Sequence, residues 1–140
     1  MNRIVKILLI GVLVPNILWA ERFTKNGEIV YDSKTELYWQ SKPSNKKFNW
    51  SSAKNYCSNL TYEGKSDWRL PNIDELKSLV DYSRYKPAIA TNLIDIKIDD
   101  WYWSSSKYVN DSSSAWVVLF DDGYDFWVKR SRTVYVLCVR

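Results

Sequence analysis

The 140-residue chain contains no histidine. That removes the commonest general base near neutral pH and the commonest transition-metal ligand. Cysteine is nearly absent as well: Cys57 and Cys138 stand alone. They form no Cys-x-x-Cys pair and have no imidazole to activate them, so redox or nucleophilic thiol chemistry has no support. Glycine and proline number four each, and the chain shows neither a low-complexity linker nor an internal repeat. Adjacent aspartates occur only as Asp99-Asp100 and Asp121-Asp122. Neighbours on a strand point to opposite faces, and Asp-Asp-Gly is good turn chemistry, so these pairs read as turn and solvation rather than as a hydrolase's carboxylates. The expectation is a protein without catalysis, metal or cofactor. A hard-cation site on loop carboxylates is the alternative, since oxygen ligands suit calcium.

The one long apolar stretch lies at the N-terminus. Arg3 and Lys6 precede an uncharged core, Ile7 to Val14, and Ala20 offers a small residue before Glu21. The run is short of the ~20 residues that span a bilayer, so residues 1–20 read as a signal peptide, with an uncleaved anchor as the alternative. No cysteine follows to carry a lipid. The expectation is export to the periplasm or the exterior, with no membrane span left after cleavage and residues 21–140 forming one domain.

Lysine and arginine total 20 against 16 acidic residues. Arg3 and Lys6 fall in the signal, so the excess beyond it is small and nucleic acid is not an expected partner. Aromatic residues are abundant, with eight tryptophans and ten tyrosines. They can fill a core where long apolar runs are few, and they raise the chance of an aromatic binding surface. For an exported chain with two distant cysteines, a Cys57–Cys138 disulfide is the simplest expectation. Closing so long a loop contributes roughly 4–5 kcal/mol in the chain-entropy account.

Local patterns predict an α+β chain. Asn26-Gly27 and Asp32 to Thr35 are turn signals that separate extended pieces between Phe23 and Gln40. Asn49 is placed to cap a first helix, with Phe48 set to staple against Ala53 and with Ala53, Tyr56, Cys57 and Leu60 on one face. In Asp67-Trp68-Arg69-Leu70-Pro71-Asn72 the apolar and ionic residues alternate as in a strand, and Pro71 ends it. Asn72 with Glu75 then makes a capping box for a second helix, buried through Ile73, Leu76, Leu79 and Val80. Arg69 is expected in a partly buried ion pair with Glu75 or another acid, and Trp68, Trp103 and Trp116 in the core. Tyr82 to Asp100 reads as irregular. Trp101 to Trp103 reads as extended up to a serine run, and Asp111 to Ser114 as a loop. Trp116 to Phe120 and Tyr124 to Val128 form a hairpin about an Asp-Gly turn. Lys129 to Thr133 turns, and Val134 to Val139 is a terminal strand.

Lys129, Arg130 and Arg132 make a basic turn after Trp127. Usually such a run is simply solvated, but it could pair with sulfate or phosphate groups. Tyr108, Tyr124 and Trp127 are the rings placed to stack on sugars. These six residues are the candidate ligand site.

The order of elements, with one cysteine on the first helix and the other on the last strand, resembles the C-type lectin-like fold. The wording narrows it: Asp32 to Gln40, Trp50-Ser51-Ser52-Ala53 with Tyr56-Cys57, Asp67 to Leu76, Tyr102-Trp103-Ser104-Ser105, Ala115-Trp116, Asp122-Gly123 and Cys138-Val139-Arg140. From about Ile29 to Arg140 the chain resembles the C-terminal domain family of the bacterial collagen-like adhesin Lcl, related to the formylglycine-generating-enzyme branch of that fold. It departs at Glu36, where the family commonly has Gly, and at Tyr38, where it has Met. The resemblance implies an exported binding module with short twisted antiparallel sheets, two helices and a loop-rich middle, and the named adhesin binds sulfated polysaccharides. The enzyme branch holds copper with cysteines that here are claimed by the disulfide. The Glu-Pro-Asn, Gln-Pro-Asp and Trp-Asn-Asp signatures of lectin calcium sites are missing. An anionic polysaccharide is therefore the expected partner, and an envelope protein meeting the loops from Lys107 to Ser114 is the alternative.

Overall fold

The computed structural model describes residues 21–140 together with Gly11, so the expected signal peptide lies outside the described residues. Three short strands, β1 (Phe23–Asn26), β2 (Ile29–Asp32) and β3 (Leu37–Gln40), form an antiparallel sheet in that order. Asn26-Gly27 makes the first turn, with Gly27 at φ +58°. The second turn is organised by Asp32, which is fully buried. Its carboxylate accepts both Arg22 nitrogens at 2.8 and 2.7 Å, the Thr35 hydroxyl at 2.9 Å and the Lys34 amide at 3.0 Å. Burial alone would raise the Asp32 pKa, but these hydrogen bonds outweigh it and hold the group below its usual value. Glu36 closes the turn at φ +59°, the left-handed region. Glycine enters that region without penalty while an L side chain costs about 1–2 kcal/mol, which explains why a residue without Cβ suits this position.

Both helices start where their caps predict. Asn49 Oδ1 accepts the Ser52 amide at 2.9 Å and opens α1 (Trp50–Ser58). The ring of Phe48 packs against Tyr56, 4.9 Å away, one turn beyond the expected staple partner Ala53. Asn72 and Glu75 form the full capping box of α2 (Ile73–Lys77). That helix is shorter than its apolar pattern suggests. Leu79 is buried from a turn that follows Lys77, while Ile73 and Val80 are only partly buried.

The second sheet is β4 (Trp101–Tyr108), β5 (Asp111–Leu119) and β6 (Asp125–Lys129), again antiparallel and in order. Here two expectations are corrected. The serine run does not end β4, and Asp111 to Ser114 is the start of β5 rather than a loop, so only Val109 and Asn110 form the turn. Serine has low strand propensity, but propensity is overridden when side chains find partners. Ser104 donates to Trp116 O at 2.8 Å, and Asp111 Oδ1 accepts Ser113 N at 3.0 Å.

The interior falls into two hydrophobic clusters. Tyr102 and Val118 enter one, with Leu76, Leu79 and Trp39; Trp103 and Val117 enter the other, with Trp50, Ala53 and Trp68. The same alternation continues in the last segment, where Leu137 and Val139 join the first cluster and Val136 and Cys138 the second. A two-residue period thus makes this inner part of the molecule a wall with core on both sides. The terminal segment is extended but is not a strand of either sheet. It is held through isolated bridges at Val134, Tyr135 and Val139. Between them buried side chains replace a ladder: Gln40 Oε1 accepts Cys138 N at 2.8 Å and Ser44 Oγ accepts Val136 N at 3.0 Å. The backbone polar groups must be paired somewhere, and here glutamine and serine do it. Cys57 and Cys138 meet in a disulfide with Cα atoms 5.6 Å apart.

Candidate functional site

The end of the second sheet away from the wall carries the aromatic residues. Register pairs Trp116 with Trp127 and Tyr108 with Asp111. As a result Tyr108 stacks on Trp127, centroids 4.4 Å apart and planes within 9°. Trp116 stands edge-on to both, at 5.5 Å from Tyr108 and 5.4 Å from Trp127. Stacked and T-shaped pairs at these spacings are the favoured quadrupole arrangements, so the cluster is rigid without being buried. Trp127 is 39% exposed. Trp116, expected in the core, is half-buried and serves as the backing of this platform. Phe126, which the sequence pattern did not single out, lies beside Trp127 at 5.1 Å and reaches Trp101 at 5.7 Å.

The basic turn is more engaged than a solvated run. Lys129 Nζ contacts Asp111 Oδ2 at 2.6 Å and the Ser113 hydroxyl at 2.8 Å. That lysine, followed by the Ser113 hydrogen bonds, holds the Asp111 carboxyl well below the usual carboxylate range. Arg130 lies over the Trp50 ring, 4.3 Å from Cζ to the centroid, and donates to Ser112 O at 3.0 Å. Its backbone carbonyl accepts the Trp50 amide at 3.0 Å. Arg132 is exposed and makes no ion pair among the described residues. The three cations expected as a basic turn are thus engaged in different ways. Lys129 is paired, Arg130 is stacked, and Arg132 alone is unengaged. A shallow depression of about 400 Å³ opens here, lined by Asn49, Ser51, Ser113, Lys129, Arg130 and Ser131.

Of the six candidate residues, the fold brings Tyr108, Trp127 and Lys129 together and sets Arg130 and Arg132 at their border. Tyr124 stands apart at the other end of β6, 68% exposed and in no ring pair among the described residues. It follows Gly123, whose φ is +85° and where an added Cβ would lie 2.5 Å from Val80 Cγ1. Both the conformation and the close approach require glycine.

One member of each aspartate pair does structural work, while Asp121 Oδ1 is buried without a hydrogen-bond partner among the described residues. Asp100 pairs with Lys47 at 2.8 Å, and Asp122 accepts the Tyr124 amide at 3.0 Å as a turn residue does. Both cysteines are in the disulfide and offer no thiolate to copper. Among the described residues no three His, Cys, Asp or Glu side chains are grouped to hold a metal ion, and no helix is long and apolar enough to cross a membrane.

The Lcl C-terminal domain family matches residues 28–140, nearly everything that the structure describes. This chain belongs to the Lcl C-terminal domain family. Compared with curated proteins, it matches none.

In this Lcl C-terminal domain, the residues that carry the family wording are scaffold. Asp67 forks onto Arg140 at 2.6 and 3.1 Å, and Trp68 Nε1 donates to Lys65 O. Arg69 makes the expected bidentate pair with Glu75, at 2.6 and 2.7 Å, although its side chain is half exposed. Extended structure at Arg69 is confined to one bridge with Val139 rather than a strand. Pro71 O accepts Ser105 N at 2.7 Å, which ties this segment to the serines of β4. Trp103 Nε1 donates to Phe48 O at 2.7 Å. None of these groups is free for a ligand.

Proposed function

We propose that this protein is an exported, non-catalytic module of the C-type lectin-like type that binds an anionic polysaccharide through the outer end of its second sheet. The observation that carries the reading is the partly exposed Tyr108–Trp127 stack at the end of the sheet where the basic turn follows. Sugar rings have apolar faces that suit such a platform, and with Lys129 held by Asp111 the unpaired Arg132 is the nearby cation to select acidic substituents. Kinship supports it as well, since the adhesin that gives the family its name binds sulfated polysaccharides. The chain has no histidine, and Asp100 and Asp122 are engaged in an ion pair and a turn, which leaves little for general acid–base chemistry.

The test is binding of a heparin-like polymer over a range of salt. Exposed charges are screened over ~8 Å at physiological ionic strength, so affinity should fall steeply as salt rises. Trp127→Ala should weaken binding while leaving that dependence in place. Undiminished binding by Trp127→Ala sinks the reading at this site.

A second reading has one observation behind it. β6 is an edge strand with Phe126 and Trp127 exposed on it and Tyr124 exposed just before it. An envelope protein could add a strand there. The Lys107 to Ser114 segment first considered for such contacts is a hairpin end rather than a loop, which makes it a firmer docking edge. Recovery of one envelope protein that competes with no glycan would favour this alternative.

A further inference from the structure

The irregular segment after α2 leaves a groove on a part of the molecule that the platform does not reach. No strand of either sheet forms between Tyr82 and Asp100, yet isoleucine stands at every second position from Ile94 to Ile98. Ile89 and Ile94 are 2% and 3% exposed and belong to the first core cluster, with Leu93 and Ile96 packed partly buried against it. The core therefore runs out to the surface here instead of being closed by a sheet. A groove of about 470 Å³ opens over it, with Pro87, Ile89, Leu93, Ile94, Ile96 and Ile98 in its lining. That volume falls within the roughly 300–1,000 Å³ of small-molecule sites, which combine an apolar lining with a few polar groups.

Five charged side chains also line the groove, and they are not all paired. Lys25 and Lys42 share Glu28, at 3.5 and 3.6 Å, and Glu28 also accepts the Ser41 hydroxyl at 2.5 Å. Arg84 and Asp95 are exposed, and neither makes an ion pair among the described residues. Both are nonetheless anchored. Arg84 Nη1 donates to Ile89 O at 3.2 Å, while the acid on its own turn, Asp81, is taken by the Ser83 amide and hydroxyl at 3.0 and 2.6 Å. The Asp95 amide donates to Ser41 O at 2.7 Å, which ties it to the end of β3. One apolar groove thus holds a cation and an anion that do not pair with each other.

We propose that this groove binds a short apolar peptide with free termini, its α-ammonium on Asp95, its α-carboxylate on Arg84 and its aliphatic side chains on the isoleucines. A zwitterion with an apolar body complements both charges and the lining at once. Guanidinium is suited to fork onto a carboxylate, and charge-assisted hydrogen bonds are the stronger ones. A fatty acid would leave Asp95 without a partner, and no aromatic ring lines the groove for a sugar to stack on. No residue of the Tyr108–Trp127 platform lines it either, so this binding stands or falls apart from the polysaccharide reading.

The test is isothermal titration calorimetry of the protein with trileucine, N-acetyltrileucine, trileucine amide and octanoate. Trileucine should bind, and blocking either terminus should weaken it about tenfold, the loss of one charge-assisted contact. Arg84→Gln should bind trileucine and its amide equally while still discriminating against the acetylated peptide. Asp95→Asn should show the reverse, and octanoate should bind the wild type more weakly than trileucine. In methyl NMR the Ile96 and Ile98 signals should move with trileucine while the Trp127 indole signal stays still. Absence of binding at millimolar trileucine, equal affinity for the three peptides, or octanoate binding as tightly as trileucine overturns the proposal. So does a cap effect that survives in the matching variant, or a Trp127 shift in place of the isoleucine shifts.

Discussion

Trp103 and Trp127 lie on the same three-stranded sheet, yet one has no exposed surface and the other is 39% exposed. Trp103 sits in β4 within the wall between the two clusters, its Nε1 bonded to Phe48 O. Trp127 sits on edge strand β6, where its ring meets Tyr108, Phe126 and Trp116 and still stays 39% exposed. Residue type does not separate them. What packs against the strand does: β4 and β6 are both edges of the sheet, but β4 is covered by α1 and α2 and bridged to the terminal segment at Tyr135, whereas β6 pairs with β5 alone. The same side chain is thus cement in one place and a platform in the other.

The comparison breaks if the two tryptophans prove energetically alike. Trp103→Ala should lower unfolding free energy by about 3–5 kcal/mol, the range for truncating a fully buried large side chain. Trp127→Ala should cost far less stability and should act on ligand affinity instead. Equilibrium denaturation of the two variants beside a glycan-binding measurement checks both halves.

The disulfide sharpens the inner half. Cys57 and Cys138, separated by 81 positions, link α1 to the terminal segment within the second cluster. Cys57→Ser should lower stability by about 2–5 kcal/mol. The denaturation midpoint should fall while the Tyr108–Trp127 surface, at the other end of the sheet, still binds. An equal midpoint for oxidised wild type and the variant would show that packing alone holds the wall.

Titration distinguishes core from surface in a third way. Burial pushes the Tyr102 phenol up to about 12 from an ordinary value of 10.0. Its folded pKa is raised, so the stabilisation is complete below pH 10 and is lost as pH rises through 12, on the order of 3 kcal/mol. Asp32 is the opposite case. Its folded pKa is lowered, so its contribution is present above the unfolded value near 3.8 and is lost as the pH falls below it. Between these limits no histidine titrates, and stability should be flat from about pH 5 to 8. Tyr102→Phe should remove most of the alkaline limb; an unchanged limb would mean that another group governs it.

The smallest expected differences lie within the basic turn. Arg130→Ala loses stacking on Trp50 and should cost about 0.5–2 kcal/mol. Arg132→Ala should leave the thermal midpoint unchanged, since an exposed unpaired cation contributes little to folding. Replacing Lys129, Arg130 and Arg132 together is consequently not neutral for the fold, contrary to what a solvated turn would give. Equal midpoints for the two single variants would restore the simpler picture.

Short-range chemistry accounts for most of what was legible. Asn49 and Asn72 announce their helices because a cap acts within three residues, and Asn26-Gly27 announces its hairpin for the same reason. The family wording was readable too, though it identified scaffold. Of the site, Trp127 and Lys129 could be named from spacing on one strand. Tyr108 could be named as an aromatic but not as the partner of Trp127, which depends on the β4–β5–β6 register and its irregularities. Lys54 stands four residues after Trp50, a helical spacing visible in the chain. Lys107 and Arg130 carry no local sign of meeting the same ring.

By itself the sequence determined the caps, the turns, the alternation that divides Tyr102 from Trp103, and the pairing of two lone cysteines. Each depends on neighbours a few residues away or, for the cysteines, on there being no other partner. Tertiary structure alone decided that the amides of Val136 and Cys138 are taken by the side chains of Ser44 and Gln40, that the serines of β4 and β5 form strands, and that Lys129 and Arg130 are engaged while Lys54 and Lys107 gather at Trp50. Those outcomes rest on contacts between residues tens of positions apart. Sequence periodicity carries no information about such distances, because strand order and register are chosen by the packing of the whole chain.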